Sequence, residues 1–254
     1  MQEIRIIHAP TKEKPFLIID KPRGLPSAPL HDGDSDNALC RAAALFPEIR
    51  VVRGKKPVEL GLIHRLDTAT SGLMIIAATQ ECYDFLLAEQ KAGKIIKTYR
   101  AVCDVVSDNA DVLGGFPPLD LQANPLFSDD SRALTLRSFF RHYGEGRKEV
   151  RPVTKNSGKS AMSKLGKPKI YTTEIRLENP GEGGVIAVCR ISEGFRHQVR
   201  CHLAWAGFPV RGDLIYNSRA SKKNAENMMF SATKISFEYP GGDLNSYDRK
   251  DTWT

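Results

Sequence analysis

Residues 61–73 have the sequence GLIHRLDTATSGL, and an apolar run over residues 73–78 follows directly. A short apolar run bounded by glycine and polar residues predicts a buried β-strand. The polar part, residues 64–72, is then a loop packed against a sheet, and its small hydroxyl side chains favour tight folding of the backbone. This loop carries one carboxylate, Asp67, beside one guanidinium, Arg65.

Composition restricts the protein class. The chain has 254 residues, 41% of them apolar, which allows one large domain or two small ones. No run approaches the roughly 18 apolar residues of a membrane span, and the N-terminus lacks the apolar core of a secretory signal. The five cysteines include no C-x-x-C pair, which favours reduced thiols over a disulfide framework or zinc ribbon. We therefore expect a cytoplasmic protein without a membrane partner.

The positive charge is concentrated in one segment. Residues 137–169 contain ten Lys or Arg and two Glu, a net charge of +8, which leaves −1 for the rest of a chain whose total is +7. Few apolar residues follow Tyr143, so the sequence predicts a mobile, basic insertion at about residues 137–168. A solvated linker and an arm that binds RNA phosphates are both compatible with this composition.

Periodicity and end signals predict the remaining elements. We expect helices over residues 38–46 and 196–206, and another from Thr79 to Gly93. Strands are expected over residues 16–19, 73–78, 97–102, 170–177, 185–191 and 235–239, and an irregular tail from Gly241.

Three further motifs accompany the first. Residues 21–25 are KPRGL after a strand, residues 97–102 are KTYRAV, and residues 193–207 are EGFRHQVRCHLAWAG. Taken alone, Tyr99 in the second of these is typical of a strand tyrosine packed on a core. The metal ligand types His197, Cys201 and His202 suggest zinc only weakly, because no fourth ligand is suitably spaced.

Together these motifs closely resemble those of the RluA-type pseudouridine synthases. The resemblance covers residues 16–239 except for the segment 103–168. It implies an α+β fold for residues 1–254 as a single catalytic domain, with a mixed, largely antiparallel sheet flanked by helices and a central active-site cleft. It also implies that Asp67 is catalytic. One departure is Phe195, which replaces the family's usual Arg.

The same resemblance assigns the other site residues. Tyr99 would contact the target base and assist proton removal from C5, and Arg200 would pair with Asp67. A flipped-out uridine is required, and Arg65 would fill the space that it leaves. The predicted RNA-binding residues are Arg65, His64, Arg196, Lys21 and Arg23.

The implied reaction converts uridine in rRNA or tRNA to pseudouridine without a metal, nucleotide or other cofactor, and we expect a monomer. A covalent adduct of Asp67 and a glycal route both remain open. A non-catalytic RNA-binding or assembly module on the same fold is the alternative from another class. A metal-dependent phosphoesterase is a third, weaker alternative.

Overall fold

The computed structural model describes residues 3–31, 33–106, 114–119, 133–165, 169–178, 184–220, 227–242 and 244–249. The chain forms two compact units, which we call unit 1 (residues 1–98 and 231–254) and unit 2 (residues 99–230). No helix in the described ranges combines the length and hydrophobicity needed to cross a lipid bilayer.

The elements follow one another in a mixed α+β order. The strands are β1 (Arg5–His8), β2 (Phe16–Lys21), β3 (Ser71–Ala77), β4 (Ile96–Cys103), β5 (Ala133–Tyr143), β6 (Glu149–Val153), β7 (Tyr171–Glu178), β8 (Val185–Ile191), β9 (Phe230–Glu238) and β10 (Leu244–Asp248). The α-helices are α1 (Ala38–Leu45), α2 (Gln80–Lys91), α3 (Lys159–Met162) and α4 (Gln198–Trp205). Short 3-10 helices cover Pro47–Val51, Pro57–Glu59 and Glu145–Arg147.

In unit 1 the strands are mostly antiparallel. β2 pairs antiparallel with β1 and β3, β10 pairs antiparallel with β9, and β3 pairs parallel with β9. Every residue of β2 and β3 is buried, which explains why their sequences are continuous apolar runs rather than alternating ones. Phe16 and Ile75 belong to the core that these strands share with α2 and β9.

Side-chain caps start the helices of unit 1 where the sequence predicts. Asn37 accepts a hydrogen bond from the backbone N–H of Cys40 at 2.9 Å, and Thr79 accepts one from that of Cys82 at 3.2 Å. Such caps satisfy amide groups that have no partner within the helix. The predicted α1 and α2 are therefore confirmed.

In unit 2 an antiparallel ladder runs β8–β7–β5–β6. β7 alternates buried and exposed residues, as expected for a strand with one face on a core. The predicted hairpin of β7 and β8 is confirmed, and α4 contacts β6 and β7. The α+β class with a largely antiparallel sheet is thus confirmed.

Two expectations are wrong. Residues 137–143 and 149–153 are not a loop or arm, because they pair as the antiparallel strands β5 and β6. The tail after Gly241 is not irregular throughout, because Leu244–Asp248 pairs with β9. The single-domain expectation for residues 1–254 stays a prediction, and residues 166–168 of the basic segment lie outside the described residues.

Candidate active site

The loop that carries Asp67 is held on both sides of that residue. Before it, Ser27 Oγ donates to the carbonyl of Leu66 at 2.6 Å and accepts from the backbone N–H of Leu66 at 2.9 Å. After it, the carbonyl of Thr68 accepts from the backbone N–H of Gly24 at 2.8 Å. The segment after β2 therefore fixes the backbone of the residue that the sequence marks as catalytic.

A buried lysine strengthens this attachment. Lys21 is fully buried, and its Nζ donates to the carbonyls of Pro22, Leu25 and Thr68 at 3.0, 2.7 and 3.3 Å. Burial lowers the pKa of Lys21 to about 8, and the negative charge of Asp67 opposes that shift. Lys21 thus retains a positive charge near neutral pH within electrostatic range of the Asp67 carboxylate.

This geometry corrects the prediction that Lys21 contacts RNA. A side chain with no exposed surface, whose ammonium group donates to three backbone carbonyls, cannot also reach a phosphate. Lys21 instead joins the end of β2 to the Asp67 loop.

Two arginines of unit 1 have different surroundings. Arg65 is exposed, and its Nη1 lies 3.4 Å from Glu59 Oε1. Arg23 is half-buried, and its Nε has no hydrogen-bond partner among the described residues. Their predicted RNA contacts stay predictions.

His64 is half-buried and contacts β3. Its Nε2 accepts from the backbone N–H of Ile75 at 3.3 Å. Burial of the ring, together with the charge of Lys97, lowers the pKa of His64 to about 3. The imidazole is therefore neutral at physiological pH and offers no charge to a phosphate. A neutral contact with RNA stays a prediction.

Arg249, which the sequence did not single out, contacts the end of the site loop. Its Nε donates to Asp20 Oδ2 at 2.9 Å, and its Nη1 donates to Ser231 Oγ and, at 3.4 Å, to Ser71 Oγ. Asp20 precedes Lys21 in β2, and Ser71 is the first residue of β3. One side chain therefore connects β2, β3 and β9 where the loop ends.

In unit 2, Tyr99 lies on the buried face of β4. It is 7% exposed, and its ring stacks on Phe230 with centroids 5.2 Å apart and planes 10° apart. The stacking agrees with the expectation of a strand tyrosine packed on the core. A role for its hydroxyl in catalysis stays a prediction.

Arg200 is a buried cation of α4 with a defined carboxylate partner. Its Nε and Nη2 donate to Asp213 Oδ2 and Oδ1 at 2.8 and 2.7 Å, and its guanidinium lies 5.4 Å from the ring centroid of Tyr216. A bidentate pair of this kind orients a guanidinium in one plane. Asp213 was not among the predicted site residues.

The three residues considered as zinc ligands each have a hydrogen-bond partner within the protein. His197 Nδ1 lies 3.1 Å from Tyr216 Oη, and Cys201 Sγ donates to the carbonyl of Val150 at 3.4 Å. His202 lies within hydrogen-bond distance of the Ser138 and Thr173 hydroxyls. Within the described ranges no group of three or more His, Cys, Asp and Glu side chains is placed to bind a metal ion.

Arg196 forms contacts with the connection between β5 and β6. Its Nη1 and Nη2 donate to the carbonyls of Arg147 and Lys148 at 3.2 and 3.1 Å, while the residue itself is exposed. Helix α4 begins two residues later than predicted because His197 has a left-handed backbone, with φ of 56°. Contact of Arg196 with RNA stays a prediction.

The geometry supplies a positioned carboxylate in unit 1, and a buried tyrosine and an oriented guanidinium in unit 2. The family model for RNA pseudouridylate synthase matches residues 15–205, well over half of the chain. The chain belongs to this family. The match includes both the Asp67 loop and Arg200, and the RluA-type resemblance is confirmed.

Known pseudouridine synthases are similar over most of the chain. Ribosomal large subunit pseudouridine synthase D of Pseudomonas aeruginosa is 28% identical over 224 residues, covering 85% of this chain and 54% of that protein. The Yersinia pestis protein of the same name is 27% identical over 230 residues, covering 89% and 58%. The chain thus spans about half the length of the curated relatives it matches.

A solved structure supports the pseudouridine synthase fold. Human RNA Pseudouridylate Synthase Domain Containing 1 aligns with a TM-score of 0.66 and 18% identity, covering 99% of this chain and 85% of the human one. At that identity the likeness establishes the fold.

Proposed function

We propose that this chain is an RNA pseudouridine synthase that isomerises uridine with Asp67 as its catalytic residue. The observation that carries the proposal is the attachment of the loop on both sides of Asp67, by Ser27 and by Gly24 with Lys21. A nucleophile or base gains most from a backbone that holds it in one position. Membership of the family supports the same reaction.

The reaction is a rearrangement without redox change. The bond between N1 of uracil and C1′ of ribose breaks, the base turns, and a bond forms between C5 and C1′. C5 then loses its proton, and N1 ends with one. Asp67 acts by one of three routes: by bonding to the ribose, by bonding to the base, or by removing a ribose proton to give a glycal.

The other residues assist this chemistry. Arg200, oriented by Asp213, is proposed to pair with the Asp67 carboxylate in the working enzyme. Tyr99 is proposed to contact the uracil and to assist removal of the C5 proton. Arg65 is proposed to occupy the space left by the flipped nucleotide, because a planar guanidinium can stack where a base was.

We propose large-subunit ribosomal RNA as the first substrate class to test, because the curated relatives are named for it. Transfer RNA is the comparison substrate. Five free cysteines support a reducing, cytoplasmic setting for the activity.

The test uses ribosomal RNA carrying tritium at uridine C5. Tritium is released when C5 bonds to ribose, so wild type should release it and Asp67→Asn should lose activity by about a thousandfold or more. The matched control is Asp36→Asn, which removes a carboxylate that is 75% exposed. Equal release by wild type and Asp67→Asn would overturn the assignment of Asp67. Tight RNA binding without release by wild type would favour the non-catalytic module.

A further inference from the structure

A cluster of aromatic rings in unit 2 is not used by the proposed chemistry. Phe195 stacks on Phe140 with centroids 5.1 Å apart and planes 5° apart. Tyr171 and His142 lie 5.2 and 6.0 Å from the Phe195 ring. Phe195 and Tyr171 are half-buried and His142 is exposed, so the cluster reaches the surface.

Phe195 is also the position where the sequence departs from its family motif. Its stacking partner, Phe140, belongs to β5, in a segment that the motif resemblance did not cover. Two unusual features of this chain therefore contact each other. The Arg expected at position 195 is replaced by a ring that β5 supports.

Exposed basic residues lie next to Phe195 and Tyr171 of the cluster. Arg196 follows Phe195, and its hydrogen bonds to the carbonyls of residues 147 and 148 hold two more exposed basic residues, Arg147 and Lys148, beside it. Lys169 Nζ lies 6.0 Å from the Tyr171 ring centroid.

Acidic groups offset little of this charge. Glu193 pairs with Lys169 at 2.6 Å, and Glu149 pairs with the buried Arg151 at 2.8 Å. Glu145 is exposed. The charge of Arg147, Lys148 and Arg196 therefore exceeds that of the remaining carboxylate.

We infer that Phe195, Tyr171 and His142 form a platform on which an unpaired base of the RNA stacks, while Arg147, Lys148 and Arg196 contact its phosphates. Partly exposed aromatic rings next to basic side chains suit single-stranded nucleic acid, because every base has a face that can stack. Bases inside a duplex have both faces covered and cannot use such a platform. The identity of the occupant rests on the proposed function. The bound nucleotide is additional to the reacting uridine.

The test uses a uridine-free probe, so that recognition of the target base does not contribute. Oligoadenylate of about ten nucleotides carries one 2-aminopurine, whose fluorescence falls on stacking, and a blunt duplex serves as the comparison RNA. Phe195→Leu should weaken single-strand binding by about fivefold or more, the range measured for loss of one stacked base. Duplex affinity and the salt dependence of binding should stay unchanged.

A second substitution distinguishes the contribution of charge to RNA binding from the contribution of stacking. Phe195→Arg removes the ring but restores the family's residue type, so the salt dependence of log K against log salt should steepen by about 0.7 for one new phosphate contact. The matched control is Leu214→Ala, an apolar residue that is 56% exposed and outside the cluster, and it should bind as wild type does.

His142→Ala keeps the proposal testable if loss of the Phe195 ring prevents folding, because His142 is exposed. It should weaken single-strand binding and reduce 2-aminopurine quenching. Wild-type affinity and quenching in His142→Ala and in every folded Phe195 variant would overturn the platform. Absence of tritium release by wild type, in contrast, would contradict the proposed function and leave this binding result standing.

Discussion

Three charged or polar side chains in the interior of this protein each have their own hydrogen-bond partners. Lys21 donates to three carbonyls, and Arg200 pairs with Asp213. His202, which is fully buried, lies 2.9 Å from Ser138 Oγ and 2.8 Å from Thr173 Oγ1. Burial shifts the pKa values of Lys21 and His202, so these two residues contribute a pH dependence to stability.

Lys21 should make the protein more stable as the pH rises through the range where it loses its proton. Its pKa is about 8 when folded and near the ordinary 10.5 when unfolded, so between these values the unfolded chain binds more protons. The difference in unfolding free energy between wild type and Lys21→Met should therefore rise by about 2 kcal/mol from pH 7.5 to pH 10. Urea denaturation measures it. A pH-independent difference would contradict the buried position of Lys21.

His202 should reduce stability in acid. Burial lowers its pKa to about 3, against 6.5 for the ordinary imidazole, so below pH 6.5 only the unfolded chain takes up this proton. The stability advantage of wild type over His202→Gln should shrink by about 2 kcal/mol between pH 7 and pH 4.5. Denaturant titrations at both pH values test this, with the exposed-site variant Leu214→Ala as control for general acid effects. Parallel pH profiles would refute it.

At the scale of elements, strand β3 depends on a close approach to β9. Gly72 has φ of +123°, and a Cβ there would lie 2.2 Å from the carbonyl oxygen of Ala232. Only glycine permits this contact together with that backbone conformation. Because Gly72 has no side chain, the backbone at the end of the Asp67 loop can pack directly against the backbone of β9.

Gly72→Ala should destabilise unit 1 by more than about 2 kcal/mol, because the backbone of β3 or β9 must shift. Gly194→Ala is the matched control, since a Cβ at that position meets nothing within 4 Å and its φ is not left-handed. Thermal unfolding compares the two. An unfolding temperature for Gly72→Ala close to that of Gly194→Ala would contradict the tight β3–β9 contact.

Local sequence signals predicted the elements whose own residues include a helix cap or a continuous apolar run. The caps Asn37 and Thr79 and the apolar runs of β2 and β3 are visible within a few positions of sequence, and the structure places each element there. β6 was missed because it contains Arg151 and a proline. Tertiary contacts bury Arg151, which lies 4.8 and 4.5 Å from the ring centroids of Phe116 and Tyr143.

The site likewise contains residues that the sequence indicated and residues that it did not. The sequence motifs indicated Asp67, Tyr99 and Arg200, whose roles stay predictions. Ser27 and Arg249 were not predicted, because a single serine or arginine gives no periodic sequence signal. Their partners Leu66 and Asp20 lie 39 and 229 positions away in sequence.

At the scale of the whole chain, unit 1 is assembled from both ends of the sequence. Residues 1–98 and 231–254 form one compact body, and Arg249 connects them through Asp20, Ser71 and Ser231. The side chain of Arg249 is 15% exposed, and that of Asp20 is 10% exposed. Removal of one partner leaves the other short of hydrogen bonds in a mostly buried place.

Arg249→Ala should therefore destabilise the protein by about 2 kcal/mol. Lys234→Ala is the comparison, because it breaks an ion pair with Asp248 whose side chains are 43% and 62% exposed, and such pairs contribute about 0–1 kcal/mol. Urea denaturation of both variants gives the two values. Equal, small losses would show that Arg249 is not a structural connection.

The pairing of Ser71 with Ser231 spans 160 residues, which sets an order of events during synthesis. β3 leaves the ribosome with β2 and residues 61–63 as neighbours, but the edge at Ser71 and Gly72 that pairs with β9 has no partner yet. At about 5–20 residues per second, β9 follows roughly ten to thirty seconds later. During that interval the nascent chain exposes an unpaired strand edge, a template for wrong pairing, just after the Asp67 loop. The contacts between β3 and β9 at the end of that loop form only after translation has passed residue 231. A chain truncated before that point therefore contains every sequence motif of the site but lacks these contacts.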